Sequence, residues 1–134
     1  MPVGRRFRCL EGAYAICRVP AGADVSWAVG ELRVVIEARG EALATTVICD
    51  EASVPAHVER DDGWRVIRFE GVFDFSEVGV LSEVLSTLAD ARVPVMTVSS
   101  FETDYLLIKA VRFDRVRQVL QEAGHAFVEN GETP

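Results

Sequence analysis

The chain has 134 residues, 49% of them hydrophobic and 26% charged, which suits one domain of ordinary size or two very small ones and gives no reason to expect wholesale disorder. Lys and Arg number 14 against 21 Asp and Glu, and the resulting net charge of −7 argues against a domain that grips phosphate backbones. The three cysteines, Cys9, Cys17 and Cys49, are odd in number and form no C-x-x-C pair, so a complete disulfide framework is excluded and metal-ligand spacing is lacking.

In chain order, Arg5, Arg6 and Arg8 come first and are read as a solvated basic edge, with a nucleic-acid contact as the alternative. No apolar stretch of signal-peptide length comes after them, and no run of about eighteen apolar residues occurs that would span a membrane. Thiols set in apolar runs such as Ala15-Ile16-Cys17 fit a reducing cytosol, so the expected location is cytoplasmic. Residues 13–19 (A-Y-A-I-C-R-V) form a strand ended by Pro20, and residues 24–29 a short helical turn. Residues 32–38 and 45–49 give two further strands, residues 51–56 a connector and residues 57–60 an edge strand. Asp61-Asp62-Gly63 is the natural joint between the two halves of the chain.

The second half is more regular. Residues 64–69 (W-R-V-I-R-F) are a strand rich in aromatic and β-branched residues. Asp74 and Glu77 have the spacing of a capping box, with Ser76 as the alternative cap. Next is a helix over 77–91, striped by Val78, Leu81, Val84, Leu85 and Leu88 and stopped by Pro94. Residues 93–99 and 104–110 are strands separated by a polar turn. A second helix over 112–123 carries Phe113, Val116, Leu120 and Ala123 on one face, and Gly124 stands where a helix ends left-handed. Residues 125–128 are a short last strand. The order β-α-β-β-α-β predicts an α+β, ferredoxin-like domain over 63–134, a four-stranded antiparallel sheet with two helices on one face. Residues 1–62, with the order β-turn-β-β-turn-β, are expected to be a degenerate, β-rich version of the same unit.

The segment G-V-F-D-F-S-E-V-G-V-L-S-E-V-L-S-T-L-A-D-A-R-V-P-V-M-T-V-S-S, residues 71–100, resembles an ACT domain. Its continuation S-S-F-E-T-D-Y-L-L-I-K is similar to the CASTOR arginine sensors and to small bacterial two-ACT proteins related to them, and A-Y-A-I-C-R-V-P to the opening of those small proteins. The resemblance implies a regulatory protein that binds a free amino acid and catalyses nothing, with the ligand held between two ACT domains. Carried over by position, the loop entering the first helix is Glu77, Val78, Gly79 and Val80. The residues closing the second strand are Ser100, Phe101, Glu102, Thr103 and Asp104. It also implies sheets that pair edge to edge, and hence a homodimer.

The chemistry of an amino acid can be met by these residues. The unpaired amides of a first helical turn favour a carboxylate, and Gly79 lets a ligand approach the backbone closely. Asp104 offers an acceptor for the amine, Glu77 or Glu102 would meet a cationic side chain, and Phe101 would cover an aliphatic stem. A basic or polar amino acid is therefore expected rather than an acidic one. Each feature also has a structural reading. Asp74, Ser76 and Glu77 cap a helix, Gly79 permits close packing, residues 99–104 form a polar turn, and Phe101 belongs to a core or interface. His57 and His125 have no partner at ligand or triad spacing, and Trp27 and Trp64 are read as core or interface anchors. No phosphate-loop, nucleophile-elbow or zincin motif is present, and neither cofactor nor metal is expected. The rival to the amino-acid sensor is an ACT interaction module without ligand, one that mediates dimerisation or holds a protein partner.

Overall fold

In the first half buried side chains recur at alternate positions, at Ala15, Cys17 and Val19 and again at Thr45, Val47 and Cys49, the spacing of strands with one face turned to a core. The computed structural model describes residues 4–40, 44–71 and 79–129. Its strands are β1 (Arg6–Cys9), β2 (Tyr14–Val19), β3 (Val34–Glu37), β4 (Thr45–Asp50), β5 (Glu59–Phe69), β6 (Met96–Ser99), β7 (Asp104–Lys109) and β8 (Ala126–Phe127). Its helices are α1 (Val80–Asp90) and α2 (Phe113–Glu122). Two units are distinguished, Glu11–Trp64, and Met1–Leu10 with Arg65–Pro134. The expected division at 62/63 puts the first ten residues in the first half. Residues 4–10 instead belong with the unit that continues from Arg65.

In the unit Glu11–Trp64, β2 lies between β4 and residues 59–64 of β5, and β3 pairs the other edge of β4; all three pairings are antiparallel. Ala15, Cys17, Val47 and Cys49 make its core, with Val25, Trp27, Val35 and Val58 packed around them. The helical turn expected over 24–29 is a non-helical turn. Asp24 accepts from the Ser26 amide and hydroxyl, both at 3.0 Å, so its side chain competes with the helical backbone pattern. The joint expected at Asp61-Asp62-Gly63 is also replaced: these residues lie inside β5. Between Trp64 and Asp61 the strand advances three residues while β2 advances two, from Tyr14 to Ile16. Gly63, at φ +82°, supplies the left-handed backbone of that bulge. Turn-forming composition here bends a strand instead of ending it.

In the other unit, β7 pairs β5 and β6, and β5 pairs β1, which pairs β8. The expected four-stranded antiparallel sheet therefore gains a fifth strand, and β1 runs parallel to β8 and antiparallel to β5. The reason is Phe7. Its ring is fully buried and meets Phe69 edge-on at 4.9 Å, His125 at 5.4 Å and Phe127 at 5.6 Å. On the other side of the strand Arg8 is no solvated edge. It forms an ion pair with Glu70, the two side chains being only 12% and 9% exposed, and donates to the Glu129 carbonyl at 2.7 Å.

Helix α1 starts at Val80, and Val80, Val84 and Leu88 point into the core, with Leu81 and Leu85 half-buried beside them. Val78 of the expected stripe, like the capping candidates Asp74, Ser76 and Glu77, lies outside the described residues. Helix α2 buries Val116 and Leu120. It ends in Gly124 at φ +97°, with His125 N–H donating to the Leu120 carbonyl and Gly124 N–H to that of Gln121, both at 3.0 Å. Ahead of it, β7 passes through a short 3-10 turn, Ala110–Arg112. The unit is ferredoxin-like, as expected, with β1 inserted between its first and last strands. Among the described residues no helix is long and apolar enough to cross a membrane.

This packing leads to two expected outcomes. Phe7→Ala removes a buried aromatic from the centre of the sheet and is expected to cost about 3–5 kcal/mol in urea unfolding. His125 is 6% exposed, and its Nδ1 accepts from the Arg5 amide at 2.9 Å. Burial pushes its pKa below the ordinary value, the Arg5 charge adds to this, and Glu83 opposes it. The unfolded chain therefore binds the proton more readily. Stability is full above the unfolded value of about 6.5 and declines as pH falls through it towards the lowered folded value. Thermal midpoints should drop from about pH 7.5 to about pH 5.5, and His125→Gln, which keeps an acceptor for Arg5, should flatten that slope.

Candidate functional site

The turn joining β6 to β7 is closed by its own side chains. Ser100 N–H and hydroxyl both donate to the Thr103 carbonyl at 2.8 Å, and Thr103 N–H donates to Ser100 Oγ at 3.2 Å. Such a closed loop holds Phe101 and Glu102 at its tip, and Phe101 is 81% exposed. The Thr103 hydroxyl donates to the Phe69 carbonyl at 2.8 Å and so ties the turn to the end of β5.

Between this turn and the end of β5 lies a cleft of about 410 Å³. Arg68, Glu70 and Tyr105 line it together with residues 100–103. Glu70 meets two guanidinium groups, the ion pair with Arg8 and a contact of 3.5 Å with Arg68. Clustering of this kind holds Glu70 in place and sets Arg68, a planar fork suited to a carboxylate, at the cleft wall. Glu102 stands at the rim. Positive and negative groups thus face one small volume flanked by two aromatic rings.

Four of the residues singled out by resemblance, Ser100, Phe101, Glu102 and Thr103, therefore line one cleft. Asp104 is the next residue, the first of β7, paired in register with Ser99, and is not in the lining. Gly79 and Val80 are not in it either. Gly79 sits at φ +83° ahead of α1, with open space where a Cβ would stand, and its carbonyl accepts from Glu83 N–H at 2.9 Å. Val80 is buried in the core. Glu77 and Val78 lie outside the described residues. Residues 68–71 and Tyr105 are the lining residues that the sequence reading missed. A charged residue between the apolar Ile67 and Phe69, with Glu70 and Gly71 directly after, is the signal that marks them.

The thiols lie elsewhere. Burial raises the Cys17 pKa to about 11, the neighbouring Cys49 adding to it, and burial raises that of Cys9 although Arg65 donates to its sulfur at 3.0 Å. Both are held as thiols, poor nucleophiles at neutral pH. Among the described residues no three His, Cys, Asp or Glu side chains are grouped to hold a metal ion.

No curated protein matches the sequence at a significant level. Among solved structures, a protein of Agobacterium tumefaciens is similar at 25% identity and a TM-score of 0.86, with 99% of this chain and 98% of that one covered. A Vibrio cholerae protein of unknown function superposes at a TM-score of 0.68 and 15% identity, covering 89% of each chain. The regulatory subunit of aspartate kinase from Thermus thermophilus does so at 0.61 and 9%, covering 85% of this chain and 93% of that one. The last two likenesses concern the fold alone. The family model of the ACT domain matches residues 59–122, which hold β5 to α2 and the whole of the cleft. Residues 59–122 thus carry an ACT-type domain, and the cleft lies within it.

Proposed function

We propose that this protein is a regulatory sensor that takes a free amino acid at the cleft beside the β6–β7 turn. The observation that carries this reading is the cleft itself. Its volume falls in the usual range for small-molecule sites. Arg68 suits the ligand carboxylate, the turn carbonyls and Glu102 suit an ammonium, and Phe101 and Tyr105 flank an aliphatic stem. Glu102 and the adjacent Asp104 would repel an acidic side chain, which favours a basic or polar ligand. Resemblance to the CASTOR sensors and likeness to an aspartate kinase regulatory subunit support the same reading. The sensor is proposed to be cytoplasmic and homodimeric, since β6 pairs only β7 among the described residues and an open edge invites a second copy. Gly79, Val80 and the two residues before them stay in the proposal as the loop entering the first helix that the resemblance implies.

One observation favours the rival reading, an interaction module without ligand. Leu81, Leu85 and Ala89 lie along one side of α1 around an open, apolar depression.

The two readings separate in a thermal-shift screen of the twenty amino acids. A ligand at one hundred times its dissociation constant adds about 2.7 kcal/mol and raises the midpoint visibly. Titration calorimetry of the best hit should show Arg68→Ala weakening binding about tenfold or more, since charge-assisted bonds contribute about 1.5–3 kcal/mol. The exposed Glu102→Gln should weaken a basic ligand only about threefold. Glu122→Ala, on α2, should leave binding unchanged. If no amino acid binds at millimolar concentration, the interaction module takes its place. If binding survives Arg68→Ala, the site lies elsewhere.

A further inference from the structure

We infer that the unit Glu11–Trp64 carries a binding site of its own for a small organic ammonium ion, in a cavity of about 660 Å³ where Trp27 stands beside Asp24 and Glu59. This site lies wholly within residues of that unit and does not rest on the reading of the cleft at the β6–β7 turn.

The cavity opens at the end of β2 and the start of β5. Its floor is apolar, because Val19 and Val58 belong to or pack on the unit's core, and Trp27 packs against the same core. The Trp27 indole is fixed. Its N–H donates to the Asp24 carbonyl at 3.0 Å, which satisfies its polar atom and leaves the ring as a wall. A wall of this kind attracts cations through the negative face of its π-system.

The charges around the cavity have the complementary sign. Asp24 and Glu59 are carboxylates, and among the described residues of the lining Arg18 is the one guanidinium, 3.6 Å from Glu59. Hydrogen bonds from the Ser26 amide and hydroxyl hold the Asp24 carboxyl below the ordinary carboxylate range, so it stays charged at all but strongly acid pH. Among the described residues of the lining, two carboxylates therefore face one guanidinium beside an indole. An amine with a compact apolar body fits that arrangement, its ammonium towards Asp24 and its body over Val19 and Val58. A carboxylate meets repulsion there, and a zwitterionic amino acid cancels most of its own attraction. The two sites of the protein would thus prefer different ligands.

Three probes share one body and differ in charge: 2-phenylethylamine, 2-phenylethanol and phenylacetate. They would be titrated at neutral pH into the uniformly labelled full chain and followed by amide and indole NMR. The amine is expected to give saturable shifts of the Trp27 indole N–H and of the amides flanking Arg18 and Glu59. The alcohol should bind about fivefold more weakly, in line with exposed charge contacts, and phenylacetate should not bind. Asp24→Asn combined with Glu59→Gln should bring the amine's affinity down to that of the alcohol while leaving the alcohol's own affinity unchanged. High salt should weaken only the amine. The inference is overturned if the three probes bind alike, if phenylacetate binds best, or if the amine's shifts map to residues 100–105 instead. It is equally overturned if no saturable shift appears up to about 10 mM, beyond the millimolar range of weak fragments.

Discussion

The packing of β1 around Phe7 is the constraint on which the ACT unit depends. A four-residue strand of composition R-F-R-C has little reason to enter a sheet by itself. It does so because one of its faces delivers a phenyl ring to Phe69 and Phe127, while the other delivers Arg8 to Glu70. The backbone then aligns. Glu70 N–H donates to the Arg6 carbonyl at 2.8 Å and Val128 N–H to that of Phe7 at 2.7 Å, so β1 zips β5 to β8. An ion pair this buried is costly to desolvate and contributes less to stability than to specificity of register. With Arg8 facing Glu70, a slip of one residue would turn Phe7 to the wrong face and carry Arg8 away from Glu70.

That register reaches the cleft through Glu70. The same carboxylate which receives Arg8 also meets Arg68, and the Thr103 hydroxyl bonds to the Phe69 carbonyl one residue earlier. The packing of β1 and the wall of the cleft therefore share a few atoms at the end of β5. The rigidity of the β6–β7 turn has a local origin, in Ser100 and Thr103, so Phe101 and Glu102 can stay exposed while their backbone is held. A loop held in this way has little further freedom to lose.

How much of this is legible in the sequence depends on where the deciding partner lies along the chain. Both helices are readable because their stripes and the Gly124 stop are local, and the expected α2 is within a residue of the observed one at each end. The stripe of α1 is read with one omission: Val84 and Leu88 are buried and Leu81 and Leu85 half-buried, but Val80, outside the expected stripe, is buried with them. Periodicity alone cannot say which edge of an apolar stripe is the middle. The β6–β7 turn is legible for the same reason as the helices, since Ser100 and Thr103 bond to each other. The insertion of β1 is not, because its partners are some sixty and one hundred and twenty residues away. Arg68 and Glu70 escape notice for that reason too: their meaning comes from Arg8 and from the turn, both distant in sequence. The bulge at Gly63 shows the opposite failure, where a strong local turn signal is overruled by pairing on both sides of it.

The two units use one strand order with different connections. In Glu11–Trp64 it is β5, β2, β4, β3, and in the ACT unit β8, β5, β7, β6 with β1 inserted, so each places its last strand before its first and its third before its second. The order survives where the first crossover is an eleven-residue helix and also where it is an irregular loop. Strand order is therefore set by the sheets' own cores, Val47 with Cys17 in one and Ile108 with Ile67 in the other. The crossovers are left to vary. A helix over the sheet buries its stripe and fills the space above the strands. A loop held by Asp24 and Ser26 covers less, and it leaves Trp27 and Val58 half-buried where a helix would have closed over them. Loss of the helix thus has a consequence beyond lost packing, because it opens an apolar surface ringed by the charges of the loop that replaced it.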